Sequence, residues 1–268
     1  ILESVGILGI AIGIGLGIVA ITGGSPIEAL QALAYGSFGT PANIASTLVK
    51  TVPLILAGLS VAIAFRAGLF NIGGEGQLYA GAVGAAWIGA MDLGLPAILH
   101  LLFVLGIAGL FGGIWGGIAG WLRARRGVHE VINTIMLNYI AIYAADYLVR
   151  GPLSAGRHTT RSQDIVSTAQ FPVLWEVPPI QVSWGIMLAV IICVACAWML
   201  FRTPFGFDFR AVGRNTDAAD SVGISSKRIT VLAMVLAGAI AGIAGCLEIT
   251  GVHHTLYAQF SPGYGFDG

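Results

Sequence analysis

Long runs of apolar residues are the feature that most constrains how this 268-residue chain folds. A helix needs about 20 consecutive apolar residues to cross a bilayer, and seven runs approach that length. They cover residues 4–22, 43–65, 77–92, 95–122, 131–149, 183–201 and 229–250. Only 10% of the residues are charged, whereas soluble domains carry about 25%. The runs therefore predict an all-α, polytopic bundle of transmembrane helices.

Small residues recur at intervals of four within the 95–122 run. The two overlapping series are Gly109/Gly113/Gly117 and Gly112/Gly116/Gly120. Such spacing allows helix backbones to approach closely in lipid. We expect this run to pack tightly against a neighbouring helix, and we expect the shorter 26–39 segment to lie at the membrane interface.

A polar segment interrupts the apolar pattern between the second and third runs. Asn71, Glu75 and Gln77 stand there among three glycines. An ionisable residue between membrane spans is by default a functional-site hypothesis, and glycine-broken backbone at membrane depth is tolerated only inside protein or beside a cavity. The segment predicts a re-entrant element whose side chains line a translocation path. The alternative is that Glu75 only complements the dipole of the following helix from its first turn.

Further polar residues enter the fifth run at Asn133, Thr134 and Asn138. The sequence from His129 to Asn133 resembles the H-E-x-x-H zinc helix, but asparagine occupies the second histidine position, so a zinc site is not expected. We predict that Asn133 and Asn138 bond across helices or face the path.

The basic residues indicate an orientation. Nine of the thirteen lie on one side if seven spans alternate from a cytoplasmic N-terminus, as the positive-inside rule requires of the cytoplasmic face. They are Arg66, Arg123, Arg125, Arg126, Arg202, Arg210, Arg214, Lys227 and Arg228. Arg150, Arg157 and Arg161 fall in the outer 150–182 loop. The net charge of zero argues against a nucleic-acid partner.

The cytoplasmic loop 202–228 contains a short helix signal. Asn215 or Thr216 serves as the N-cap, with Asp217 in the first turn. Ala218 and Ala219 then continue the helix, and Gly223 ends it. A short helix of small residues suits docking into a groove on a partner protein. From these residues alone, an ordinary basic loop remains an equal alternative.

Several signatures of chemistry are missing from the sequence. There is no G-x-x-x-x-G-K-[ST] phosphate loop and no G-x-S-x-G nucleophile elbow. We therefore predict a transport protein that is not an enzyme, with no catalytic residue, metal site or cofactor. If transport is driven by ATP, a separate chain must hydrolyse it.

Four segments carry a resemblance to a known family: Asn71 to Gln77, residues 130–140, Arg210 to Ile224, and Ser261 to Gly268. They resemble the permease subunits of bacterial ABC importers, in the branch related to ribose and branched-chain amino-acid permeases. The chain is most similar to the nucleoside-type permeases that work with a basic-membrane-protein-like lipoprotein. The resemblance extends from about residue 43 to the end of the chain.

This resemblance implies one transmembrane permease domain over residues 1–268, with 202–228 as a coupling loop and 215–224 as the helix that meets the ATPase. It implies transport of a nucleoside or related sugar-like solute across the bacterial cytoplasmic membrane. The implied partners are ATP-binding subunits, a second permease subunit, an outer solute-binding lipoprotein and the lipid bilayer. Because permeases of this family run longer, we expect the natural protein to extend beyond both ends.

Two other classes of protein remain as alternatives. A secondary transporter usually buries ionisable residues for ion coupling, and Lys50, Glu75, Asp146 and Glu248 are the candidates near the spans. A membrane enzyme requires clustered acids, histidines or a nucleophile, and His253 and His254 near Glu248 come nearest to that. The stretch from His253 to Gly268 also predicts the start of a further re-entrant element.

Overall fold

The computed structural model describes residues 2–156 and 159–268, so Arg157 of the orientation argument lies outside the described residues. The prediction of an all-α polytopic bundle is confirmed, with one small hairpin as the exception. The helices are α1 Leu2–Ile21, α2 Pro26–Phe38, α3 Pro41–Arg66, α4 Gly74–Gly89, α5 Ala97–Arg126, α6 Glu130–Arg150, α7 Gly185–Arg202, α8 Pro204–Arg214, α9 Thr216–Ser221, α10 Ser226–Glu248 and α11 Tyr264–Asp267.

Five helices are long and apolar enough to cross a membrane within the described residues. They are α3, α5, α6, α7 and α10, the last extended by a π-helical turn over Ile249–His253. The predicted third span, 77–92, is helical as α4 but begins earlier, at Gly74, and has 16 residues. Glu75 and Gln77 therefore lie inside the first turns of a helix and not in the loop before it.

The centre of the bundle is α10, which packs against α5, α4 and α3. It approaches α5 closely: a Cβ atom added to Gly112 would lie 2.7 Å from the Cα atom of Gly242. The backbones touch because neither residue has a side chain, as the glycine spacing in α5 predicted. Because α10 also packs against α4 and α3, it is the common neighbour of these three helices.

A β-hairpin lies in the 150–182 loop and extends to the start of the next span. Strand β1, Val173–Val177, pairs antiparallel with β2, Ile180–Ser183, and Glu176 lies opposite Gln181. Both strands are rich in β-branched and aromatic residues, which favour this conformation. The hairpin was not predicted from the sequence, because two short strands joined by prolines have the sequence pattern of a loop. Strand β2 packs against α3.

The 202–228 loop folds into two helices, α8 and α9. The predicted short helix is present as α9, and the Asn215 side chain caps it by accepting a hydrogen bond of 3.0 Å from the Ala218 amide. Gly223 follows with φ +90°, a left-handed conformation that favours glycine. Helix α8 was not predicted. Thr203 caps it by accepting a bond of 3.1 Å from the Gly206 amide.

Candidate functional site

The polar segment between α3 and α4 forms a discontinuous helix junction, which we define as residues 67–77. After α3 ends at Arg66, the chain runs without regular helix until α4 begins. Asn71 and Gln77 form a reciprocal pair: each side-chain amide donates to the oxygen of the other, at 3.0 and 3.1 Å. Asn71 Oδ1 also accepts a 3.0 Å bond from the Gly73 amide. These bonds fix the turn that starts α4.

Asn138 connects this junction to α6. Its Nδ2 donates to the Ile72 carbonyl at 2.8 Å, and its Oδ1 accepts from the Gly76 amide at 2.8 Å. The first N–H groups of a helix have no partner within the helix, so Asn138 satisfies one of them together with a carbonyl of the irregular segment. A Cβ atom on Gly76 would lie 2.8 Å from the Asn138 Cα atom, which explains why glycine stands there.

Glu75 connects the junction to the end of the described chain. Its Oε2 accepts a 2.6 Å hydrogen bond from the Gly265 amide. After the π-helical turn, the chain returns into the bundle, and α11 packs against α3 and α4. The position of Glu75 in the first turn of α4 also places a carboxylate at the positive end of the helix dipole.

The five predicted path residues are all buried, but the structure brings only four of them together. The junction contains Asn71, Glu75 and Gln77, and Asn138 of α6 bonds to it. Asn133 bonds elsewhere. Its Nδ2 donates to the Ala119 carbonyl of α5 at 3.1 Å. Asn133 therefore makes the cross-helix bond that the sequence allowed. Asn71, Gln77 and Asn138 form buried hydrogen bonds around the broken backbone, and Glu75 bonds separately to the Gly265 amide.

Residues of the 202–228 loop form the edge of a groove of about 320 Å³ between α8 and α9. Ala218 and Val222 line it, and Val222 is 74% exposed. Ala219 also lines the groove but is buried at its base. The groove carries two basic side chains, Arg210 and Arg214. An exposed apolar edge beside basic groups is a suitable docking surface for another protein.

Asp220 holds α9 in place relative to α10. Its two carboxylate oxygens accept bonds from the amide and the hydroxyl of Ser226, both at 2.8 Å. These bonds, the amide bond first, lower the pKa of the Asp220 carboxyl below its ordinary value. Asp217 is exposed in the first turn of α9, as predicted.

The structure also reveals a polar pocket at the end of α10 opposite its basic N-terminus. Lys50, Glu248 and His253 line it, and His253 Nε2 lies 3.3 Å from Glu248 Oε2. In the sequence, these residues were the candidates for a secondary transporter or a membrane enzyme. The sequence marks Lys50 and Glu248 because each is an ionisable residue in an apolar run. Only the packing of α3 against α10 shows that they share one pocket.

A bundle of apolar helices built around a discontinuous helix with a buried polar network defines a polytopic membrane protein of the solute-permease class. The comparison with known families agrees with this class. Residues 43–268 match the family described as branched-chain amino acid transport system / permease component. The chain belongs to this family of ABC transporter permease components, which confirms the resemblance drawn from the sequence. The family implies a transport system with ATP-binding and solute-binding partners.

Three relatives show the range of this similarity. The guanosine ABC transporter permease protein NupP of Bacillus subtilis is 37% identical over 98% of this chain and 76% of its own length. The glucose ABC transporter permease protein TsgB13 of Haloferax volcanii is 35% identical over 90% of this chain and 66% of its own length. The nucleoside ABC transporter permease protein NupB of Lactococcus lactis is 35% identical over 88% and 67%. No solved structure matches the chain significantly.

Proposed function

We propose that this chain is the membrane-spanning subunit of an ABC importer for nucleosides. The observation that carries the proposal is the 37% identity to a guanosine permease over nearly the whole chain. The similarity to a nucleoside permease at 35% points the same way. A glucose permease is also 35% identical, so a sugar-like solute is the second candidate. The two solute classes share hydroxyl groups that asparagine and glutamine side chains recognise by hydrogen bonds.

The proposed assembly contains a second permease subunit, identical or homologous, two ATP-binding subunits and an outer solute-binding lipoprotein, in the bacterial cytoplasmic membrane. The lack of a phosphate-loop motif in the 268 residues supports a separate chain as the site of ATP hydrolysis. The basic ends of α5, α7 and α10 support an orientation with the 202–228 loop in the cytoplasm. The lipoprotein then docks on the opposite face, which carries the hairpin.

We further propose that Asn71, Glu75, Gln77, Asn133 and Asn138 line the translocation path when the junction opens. The support is physical: a buried polar network is costly in a bundle that apolar side chains fill elsewhere. In the present conformation these groups bond to one another and to backbone. If α4 and α6 separate, the bonds of Asn138 to Ile72 and Gly76 break, and their donors and acceptors become available to a polar solute.

The loop 202–228 is proposed to transmit the state of the ATPase. Asn215, Asp217, Ala218, Ala219 and Gly223 form or end its short helix. The Asn215 cap and the bonds that Ser226 donates to the Asp220 carboxylate join α9 to the start of α10. A force applied to α9 therefore reaches the centre of the bundle, since α10 contacts α3, α4 and α5.

The test is uptake by proteoliposomes that contain this chain with its ATP-binding, second permease and solute-binding partners. We expect ATP-dependent uptake of labelled guanosine, and none when the ATP-binding subunits lack their catalytic glutamate. Labelled glucose and leucine serve as matched solutes. Uptake of glucose with none of guanosine would replace the nucleoside assignment by the sugar assignment. Uptake by this chain alone, driven by an ion gradient, would establish the secondary transporter instead.

A further inference from the structure

The pocket at the outer end of α10 lies between four elements that are distant in the sequence. Its walls come from α3, β2, the π-helical turn after α10, and the segment that returns into the bundle. It measures about 320 Å³, which is at the lower end of the roughly 300–1,000 Å³ typical of small-molecule sites. Its polar and aromatic lining includes Lys50, Gln181, Glu248, His253, His254 and Tyr264.

Glu248 is the group in this pocket that packing alone does not explain. The residue is 2% exposed, and a carboxylate at the end of a membrane helix is costly without a partner. Its partner is His253, at 3.3 Å, and His253 in turn lies 3.4 Å from the Tyr257 hydroxyl. The π-helical turn widens α10 and presents both side chains to the same pocket. Such turns occur frequently at functional sites.

Lys50 supplies the opposite chemistry on the facing wall. It is exposed, and it forms no ion pair among residues 2–156 and 159–268. Across the pocket, a buried carboxylate accepts hydrogen bonds while an ammonium group and the Gln181 amide donate them. Tyr264 adds an aromatic surface. A neutral ligand that carries donors, acceptors and a flat ring matches this combination.

We infer that this pocket binds one nucleoside on its way from the outer partner to the junction, an assignment that rests on the proposed function. Glu248 accepts N–H or hydroxyl donors of the ligand, Lys50 donates to its acceptors, and the base lies against Tyr264, as bases do on aromatic side chains. The position of the pocket fits such a step. Tyr264 lines it, and the amide of the next residue, Gly265, bonds to Glu75 of the junction.

The experiment measures protection of a cysteine in the pocket. Ser46 lines the pocket and is half-buried, so Ser46→Cys places a near-isosteric thiol on its wall. The complex without the solute-binding protein is treated from outside with a membrane-impermeant thiol reagent, with or without guanosine. The matched control is Ser167→Cys, an exposed residue of the same outer region that does not line the pocket. The parent complex gives the background from Cys193, Cys196 and Cys246.

We expect guanosine to slow labelling of Ser46→Cys at least about twofold once it reaches its dissociation constant, and to leave Ser167→Cys unchanged. Leucine at the same concentration should protect neither. Adding Glu248→Gln or Lys50→Met should abolish the protection, while Tyr264→Phe, which keeps the ring, should retain it. If Ser46→Cys does not react, Val49→Cys provides the same measurement, because Val49 is half-buried in the same wall and is assigned no polar contact with the ligand.

Equal labelling rates with and without guanosine would overturn the pocket assignment, and so would protection that survives Glu248→Gln and Lys50→Met together. This result is distinct from a failure of the proposed function. The proposed function is contradicted if the wild-type complex takes up no guanosine in the presence of its solute-binding protein. The pocket assignment depends only on whether guanosine slows labelling of the cysteine.

Discussion

The carboxylate of Glu75 accepts a hydrogen bond of 2.6 Å from the backbone amide of Gly265, which lies 190 residues later in the chain. This bond joins the first turn of α4 to the segment that returns into the bundle after α10. A methyl group on Gly265 would collide with the backbone of Glu75, so the two segments meet main chain to main chain. The junction therefore depends on the segment after α10 as well as on α4.

The first prediction concerns the side-chain oxygen of Glu75 that accepts the hydrogen bond from the Gly265 amide. Glu75→Gln keeps an oxygen for the Gly265 amide, whereas Glu75→Ala leaves that buried amide without a partner. An unpaired buried donor costs about 1–3 kcal/mol. We expect Glu75→Ala to lower the melting temperature and membrane abundance clearly, and Glu75→Gln to retain both with only mildly reduced uptake. Equal losses in the two variants would show that the charge, and not the hydrogen bond, is what matters.

The second prediction separates transport from folding at Asn71. Asn71→Leu removes the reciprocal pair with Gln77 and the polar edge of the proposed path. We expect uptake per inserted protein to fall at least about tenfold, equivalent to about 1.4 kcal/mol, with a smaller change in abundance. Ser60→Ala is the control, because Ser60 is buried in α3 and its hydroxyl has no partner among the described residues. Parallel loss of uptake and abundance in Asn71→Leu would contradict a role in the path.

The third prediction addresses energy coupling through α9. Ala218→Glu places a charged side chain on the docking groove, whereas Thr216→Glu adds the same charge at the start of the helix, outside the groove. Close packing in protein interfaces leaves little space for added bulk. We expect Ala218→Glu to abolish stimulation of the ATPase by loaded binding protein, and Thr216→Glu to preserve it. Gly223→Trp should also abolish stimulation, but it strains the positive φ as well. Normal stimulation in Ala218→Glu would make the loop a simple connector.

The fourth prediction tests the contact between α5 and α10. Gly112→Ala and Gly106→Ala make the same change in one helix, and each gains up to about 1 kcal/mol of helix propensity. A Cβ atom at position 106 meets nothing within 4 Å, whereas at position 112 it lies 2.7 Å from Gly242. We therefore expect Gly112→Ala to reduce thermal stability and Gly106→Ala to leave it unchanged or higher. Melting curves in detergent measure this, and equal behaviour would refute the close packing.

The fifth prediction concerns pH and Asp220. Bonds from Ser226 lower the pKa of Asp220 in the folded protein, so its contribution is fully present above the unfolded pKa of about 3.9. It is lost as the pH falls through the folded value. We expect the difference in melting temperature between wild type and Asp220→Asn to be constant from about pH 5 to 8 and to disappear in stronger acid. Asp217→Asn, in the same helix, is the control variant. A melting-temperature difference between wild type and Asp220→Asn that grows on acidification would contradict a stabilising role of the bonds between Ser226 and Asp220.

Local signals in the sequence predicted much of this protein. The apolar runs predicted the spanning helices because a bilayer requires about 20 apolar residues per crossing. The N-cap at Asn215 and the turn at Gly223 predicted α9, since capping depends on residues three or four positions apart. Glycine intervals in α5 predicted its close packing. The glycine-flanked Asn71 to Gln77 segment predicted a break in helical structure.

Tertiary structure alone decided which polar groups meet. The bonds between Asn138 and Gly76 and between Glu75 and Gly265 connect residues 62 and 190 positions apart. The pocket joins Lys50 to Glu248 across α3 and α10. Hydrophobic periodicity shows which face of a helix is buried but not which neighbour covers it. That choice follows from the packing of α10 against three helices at once, so these contacts exist only in the assembled bundle.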